Sequence, residues 1–312
     1  MDTATGPVPR RQSLAEFRAL HRELAGTAAG GPRGALAHLT EATVRAAARE
    51  VRLGRSVSLA APVETEPGPD NPQPAGHRVT SPPEHRPPEP GLHFATDRFS
   101  MNVHGDADSH LDALCHVVYD GTLYGGVPAG TVTPAGATEL AVELAHPGIV
   151  GRGVLLDVPR LRGVRWLEPG DGVTSADLLG AERAQGVRVG PGDLLFVRVG
   201  HRLRRTVTGA WEAAGARVGL DPDAVRFLAE RRVALLGGDG NNDTAPSPTE
   251  GVDFPVHVLA VHALGVHLLD YLQFEDLVPL CEQQARWSFL CVVAPLRLPQ
   301  ATGSPVNPIA IL

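Results

Sequence analysis

The chain has 312 residues, a hydrophobic fraction of 43% and a net charge of -7. That length and apolar content can bury a full core without staples, and the acidic balance excludes a general grip on nucleic acid, which needs a basic face. The chain contains no lysine, which excludes Schiff-base, P-loop and Ser-Lys chemistry.

Residues 1–12 are polar. Ser13 is placed to cap a helix running to about Ala25, with Leu14, Phe17, Leu20 and Leu24 on one face. A second helix is expected from Thr40 to near Gly54, then a strand from Ser56. Residues 63–91 are crowded with Pro, Gly and Glu and read as a long loop. From Phe94 the texture becomes β-rich. Strands are expected over Gly153–Val158, Gly192–Gly200 and Val233–Gly237, with helices over Ser175–Gln185 and Asp221–Arg231. An apolar, His-punctuated stretch follows Pro255, and a final strand is expected over Trp287–Ala294. Helices and strands mix throughout, which places the chain in the α/β or α+β class.

The three cysteines, Cys115, Cys281 and Cys291, are odd in number and contain no CxxC. They do not make a disulfide framework and suit a reducing, cytoplasmic location. The first residues lack the basic start and apolar run of a signal peptide. No segment is long and apolar enough to span a membrane, so no membrane partner is expected.

The chemistry concentrates in His104-Gly-Asp-Ala-Asp-Ser-His110-Leu-Asp112-Ala-Leu-Cys-His116, which holds three histidines and three aspartates. Imidazole and carboxylate are ligands for zinc, manganese or iron. Residues two apart in a strand share a side, so His110 and Asp112 can reach one ion together. His116 lies past an expected bend and suits a general acid or base. His104 and Asp106 are further candidate ligands. Cys115 sits in this segment without a nucleophile signature and is expected to pack. Downstream, His257 and Asp270 can supply ligands from separate elements if Gly265 ends a helix between them. His262 and His267 are expected to be half-buried structural residues. Gly237-Gly-Asp-Gly-Asn-Asn-Asp243 lacks EF-hand spacing and is read as a turn at a strand end, with Asp243 a candidate substrate or supporting contact. Arg98, Tyr119, Tyr124, Trp166 and Trp287 are candidates for pocket walls.

The segment His110–His116 resembles the His-x-Gly-Thr-His-x-Asp-x-Pro-x-His signature of the cyclase family, which includes bacterial kynurenine formamidases and isatin hydrolases. Gly34-Ala-Leu-Ala-His-Leu-Thr40, Gly54–Leu59, Gly192–Gly200 and Thr302-Gly-Ser-Pro-Val-Asn-Pro308 are similar to blocks of its longer members. The resemblance runs from about Gly34 to the C-terminus. It implies a swivelling β/β/α fold with a central barrel-like mixed sheet over 34–312, preceded by a helical extension over 1–33. It also implies a homo-oligomer and one or two divalent ions, Zn2+ or Mn2+. His110, Asp112, His257 and Asp270 fall on implied metal ligands, and His116 on the implied proton-transfer residue. The signature's first His falls on Asp106 without a gap and on His104 with two extra loop residues. Asp108-Ser109 stands for Gly-Thr, and Leu114 for Pro.

The expected reaction is metal-dependent hydrolysis of an amide, lactam or lactone in a small carbonyl substrate. The alternatives are a metal-dependent cyclisation or dehydration in secondary metabolism and, from a different class, a non-catalytic scaffold of the same fold. The density of ionisable groups and the 4% aromatic content weigh against the scaffold.

Overall fold

Strands buried on both faces read as continuous apolar runs, because neither side chain set meets water. Four such strands form the middle of the protein in a computed structural model that describes residues 11–80 and 91–312. In chain order, the main sheet contains β1 (Ser56–Ser58), β2 (His110–Asp112), β3 (Ile149–Asp157), β4 (Leu194–Arg198), β5 (Leu235–Gly238), β6 (His267–Asp270), β7 (Ser288–Val293), β8 (Gly303–Pro305) and β9 (Ile309–Ile311). Their spatial order is β1-β9-β7-β3-β4-β5-β6-β2-β8. The central β3-β4-β5-β6 pairs are parallel, and the pairs on both flanks are antiparallel. The sheet curls into a half-barrel, the mixed, barrel-like sheet expected from the resemblance.

Helices cover this sheet. Ser13 caps the helix Leu14–Ala25 through a reciprocal capping box with Glu16. Phe17, Leu20 and Leu24 of that helix enter the same hydrophobic core as the sheet. The helix Ser175–Gln185, capped by Thr174, packs on β3. The expected second helix stops early: Glu41–Ala47 is α-helical and Ala48–Glu50 is a single 3-10 turn.

Two other expectations change. The stretch 63–91 contains a strand, Gly76–Val79, paired antiparallel with Asp97–Ser100 in an exposed ribbon. Residues 81–90 of that stretch, and 1–10 at the start, lie outside the described residues. The strand at Ser288–Val293 is not the last, because β8 and β9 follow it. Both are three residues long, Pro305 ends the first and Pro308 precedes the second, which hides them from any alternation signal.

After Pro255 the chain makes one α-helical turn, Pro255–His257, and then a π-helix, Val258–Leu264. Gly265, at φ 71°, closes it in the left-handed conformation that glycine tolerates best. The chain then enters β6, which lies between β5 and β2. Through this route His257, Asp270, His110 and Asp112 arrive on neighbouring elements.

Candidate metal centre

Strand β2 is buried along its whole length. Its register pairs Asp270 with His110 across β6 and Pro305 with His110 across β8. Asp112 is the hub. Its Oδ1 lies 2.8 Å from His104 Nδ1, 3.7 Å from His110 Nε2 and 4.0 Å from His116 Nε2. Its Oδ2 lies 3.4 Å from His257 Nε2, which is also 3.5 Å from Asp270 Oδ2. Two groups of ligand-bearing side chains share this carboxylate: His104, His110 and Asp112, and Asp112, His257 and Asp270.

The neighbours of these side chains decide which atoms face the centre. The His110 Nδ1–H donates to the Asp108 carbonyl at 2.8 Å, leaving the Nε2 lone pair turned to Asp112. His257 donates from Nδ1 to Asp243 at 2.5 Å, and Asp243 also accepts the backbone N–H groups of Val256 and His257. Asn241 and Asn242 donate to the two oxygens of Asp270, at 3.0 and 2.5 Å. His104 is held between Asp112 and the Thr302 hydroxyl, 2.9 Å from its Nε2. Orientation by outer partners of this kind is what metal-binding imidazoles and carboxylates require.

The glycine-rich turn after β5 therefore serves the site with nearly every polar residue it has. Asp239 accepts from the backbone N–H groups of Val199, Gly200 and His201, fixing the turn to the neighbouring strand end. Asn241, Asn242 and Asp243 hold Asp270 and His257. Thr302 and the two asparagines carry no ligand signature in the sequence. Their only signal was that the turn directly follows strand β5 and that Thr302 opens the block similar to the family's longer members.

Electrostatics favour a cation here. Burial disfavours the ionised Asp112, yet the imidazoles of His116, His104, His257 and His110 override it and hold its carboxyl well below the usual range. Burial likewise disfavours a charged His257, but Asp112, Asp243 and Asp270 raise its imidazole well above the ordinary value. Asp112 Oδ2 is buried without a hydrogen bond. The His257 imidazole stands 3.4 Å from it without hydrogen-bond geometry, which leaves acceptor capacity that a cation would satisfy. The donor set of imidazole nitrogen and carboxylate oxygen fits zinc or manganese.

His116 stands beside the cluster. Its ring stacks on His104 with centroids 3.7 Å apart and planes 7° from parallel. Burial pushes its imidazole down to about 4. His104, His110, Asp112, His116, His257 and Asp270 all face one cavity of about 520 Å³, with Tyr119 and Phe254 on its walls. Arg98, Tyr124, Trp166 and Trp287, the other wall candidates, do not line it.

Of the two alternatives for the upstream residue, the structure places His104 in the cluster. Asp106 instead accepts from the Tyr271 hydroxyl at 2.8 Å. Asp243 reaches the site through His257. His262 bonds His21 and Thr122, and His267 is fully buried; neither belongs to a ligand group among the described residues. Cys115, Cys281 and Cys291 are free and buried, as packing residues are.

The cyclase family model matches residues 36–242. A crystal structure described as a novel cyclase superposes with a TM-score of 0.79 at 31% identity, covering 90% of this chain and 96% of its own. Isatin hydrolase A from Labrenzia aggregata, bound to benzyl benzoate, shares the fold at TM-score 0.58 and 22% identity, over 82% of this chain and 93% of its own. A predicted metal-dependent hydrolase from Bacillus stearothermophilus does so at 0.52 and 19%, over 82% and 97%. No curated protein matches the chain. No helix among the described residues is long and apolar enough to cross a membrane. On the family match and the 31% identical structure, the chain belongs to the cyclase family.

Proposed function

We propose that the chain is a metal-dependent hydrolase acting on the amide, lactam or lactone carbonyl of a small molecule. The observation that carries this reading is Asp112, whose buried oxygen makes no hydrogen bond and which belongs to two ligand groups lining a ligand-sized cavity. His104, His110, Asp112, His257 and Asp270 would hold one or two ions, zinc or manganese. Such an ion supplies Lewis-acid polarisation of the carbonyl and acidifies water towards neutrality.

The chain's own residues do the rest. His110 and His257 present Nε2 because Asp108 and Asp243 occupy their Nδ1 atoms. His116 Nε2 takes a proton from the attacking water and returns it to the leaving nitrogen or oxygen. Its stacking on His104 holds the ring over the cluster. Tyr119 and Phe254 supply apolar wall that limits water around the carbonyl.

The test is a screen of amides, lactams and lactones with the metal-loaded protein. His116→Ala is expected to lower kcat by roughly 100-fold or more with metal still bound. Metal loss in that variant would contradict the division of roles. The name and 31% identity of the cyclase structure favour one second reading, an intramolecular cyclisation or dehydration using the same groups. Turnover of acyclic precursors with failure on every hydrolytic substrate would select it.

A further inference from the structure

Outside the ligand cluster, the charged walls of the cavity are acidic. Asp106 and Asp253 contribute carboxylates, and no arginine lines the cavity among the described residues. Asp253 is exposed at the edge, whereas Asp106 is half-buried beside the cluster.

Asp106 is a built feature. The Tyr271 hydroxyl donates to its Oδ1 at 2.8 Å. Tyr271 is 1% exposed and sits at φ 55°, a conformation a bulky side chain adopts only when its surroundings enforce it. The Tyr271 backbone N–H donates to Gly240 at 3.0 Å, and its carbonyl accepts from Ser109 Oγ at 2.7 Å and Arg202 Nη2 at 2.9 Å. The ligand Asp270 immediately precedes it, so one strained residue links the ligand cluster to Asp106. The second oxygen of Asp106 makes no hydrogen bond among the described residues.

A substrate that covers a half-buried carboxylate strips its water. The loss is offset only by a hydrogen-bond donor, best a charged one. A substrate carboxylate would meet like charge with no guanidinium to neutralise it. We infer that Asp106 is a specificity-determining residue that binds a protonated amine on the substrate. The inference rests on the reading of this cavity as the metal-dependent carbonyl site, and it narrows that reading to amine-bearing carbonyl compounds.

The experiment uses three metal-chelating probes on the zinc-loaded protein, read by calorimetry: glycine hydroxamate, propionohydroxamate and the monohydroxamate of malonic acid. The amine probe is expected to bind at least about tenfold tighter than the neutral one, and the carboxylate probe weakest. Asp106→Asn should erase the gain of the amine probe and leave the affinity of propionohydroxamate in place. Comparing variant with wild type cancels the intrinsic acidity differences among the probes. Asp106→Glu should restore part of the preference, and Tyr271→Phe should narrow it. An amine preference that is the same in wild type and Asp106→Asn overturns the inference and leaves the metal site standing. Failure of all three probes to bind overturns both.

Discussion

Two histidine clusters of opposite character stand among the described residues. Around Asp112, four imidazoles meet three buried carboxylates, those of Asp112, Asp243 and Asp270, and one carboxylate oxygen is left without a hydrogen bond. At His262 of the π-helix, His21, His262, Thr122 and Tyr119 form a hydrogen-bonded chain. His21 Nε2–H donates to His262 Nδ1 at 3.0 Å, His262 Nε2–H to the Thr122 hydroxyl at 3.1 Å, and that hydroxyl to the Tyr119 carbonyl at 3.1 Å. Every donor in this assignment has an acceptor, and no carboxylate accepts any of its hydrogen bonds. Histidine density alone does not make a metal site. Unmet acceptor capacity and buried negative charge do.

The comparison breaks most visibly at its hub. Asp112→Ala removes the carboxylate shared by both ligand groups and is expected to lower metal affinity well beyond roughly 100-fold, read by metal analysis after dialysis. Asp243→Asn leaves every ligand in place but weakens the hold on His257 Nδ1. A loss of roughly 10- to 100-fold is expected in metal affinity by competition with a chelating dye.

A third change acts by volume. A Cβ on Gly303 would stand 2.4 Å from the Leu111 carbonyl and 2.7 Å from His104 Cε1. Backbone cannot give way cheaply, so Gly303→Ala should destabilise by about 1–3 kcal/mol and weaken metal binding by displacing His104. A variant with lowered thermal stability but unchanged metal affinity would show that His104 is not a ligand.

The self-satisfied cluster should respond differently. His262→Gln is expected to cost about 1–2 kcal/mol in denaturant unfolding with metal content unchanged. The smallest effect is on pH dependence. Burial lowers the imidazoles of both His21 and His262, with Asp120 opposing for each and Arg22 assisting for His21. The unfolded chain then binds more protons than the folded one below the ordinary histidine value of about 6.5. The stability this pair contributes is present above that pH and is lost as pH falls through it. The difference between wild type and His262→Gln should shrink over that window in chemical denaturation, and a constant difference would contradict the assignment.

How much of this was legible in the sequence varies with the kind of interaction. His110 and Asp112 were legible because strand alternation is local and strict. The helix capped by Ser13 was legible for the same reason. The choice between His104 and Asp106 was not, because it turns on a loop of free length and on Tyr271, which arrives from 165 residues away. The carboxamides of Asn241 and Asn242 meet Asp270 only because β5 and β6 pair in parallel, a contact no local pattern records. Strands β8 and β9 carry three residues each, too few for periodicity to outweigh proline. Local rules located the candidate ligands, and long-range pairing determined what orients them.

Asp112 is proposed as the organiser of a divalent metal site. The most direct test is elemental mass spectrometry of tag-free protein purified without added metal, wild type beside Asp112→Asn. Near-stoichiometric zinc or manganese in the wild type, lost in the variant, is the predicted result. A wild type that carries no metal, even after incubation with both ions, would contradict it.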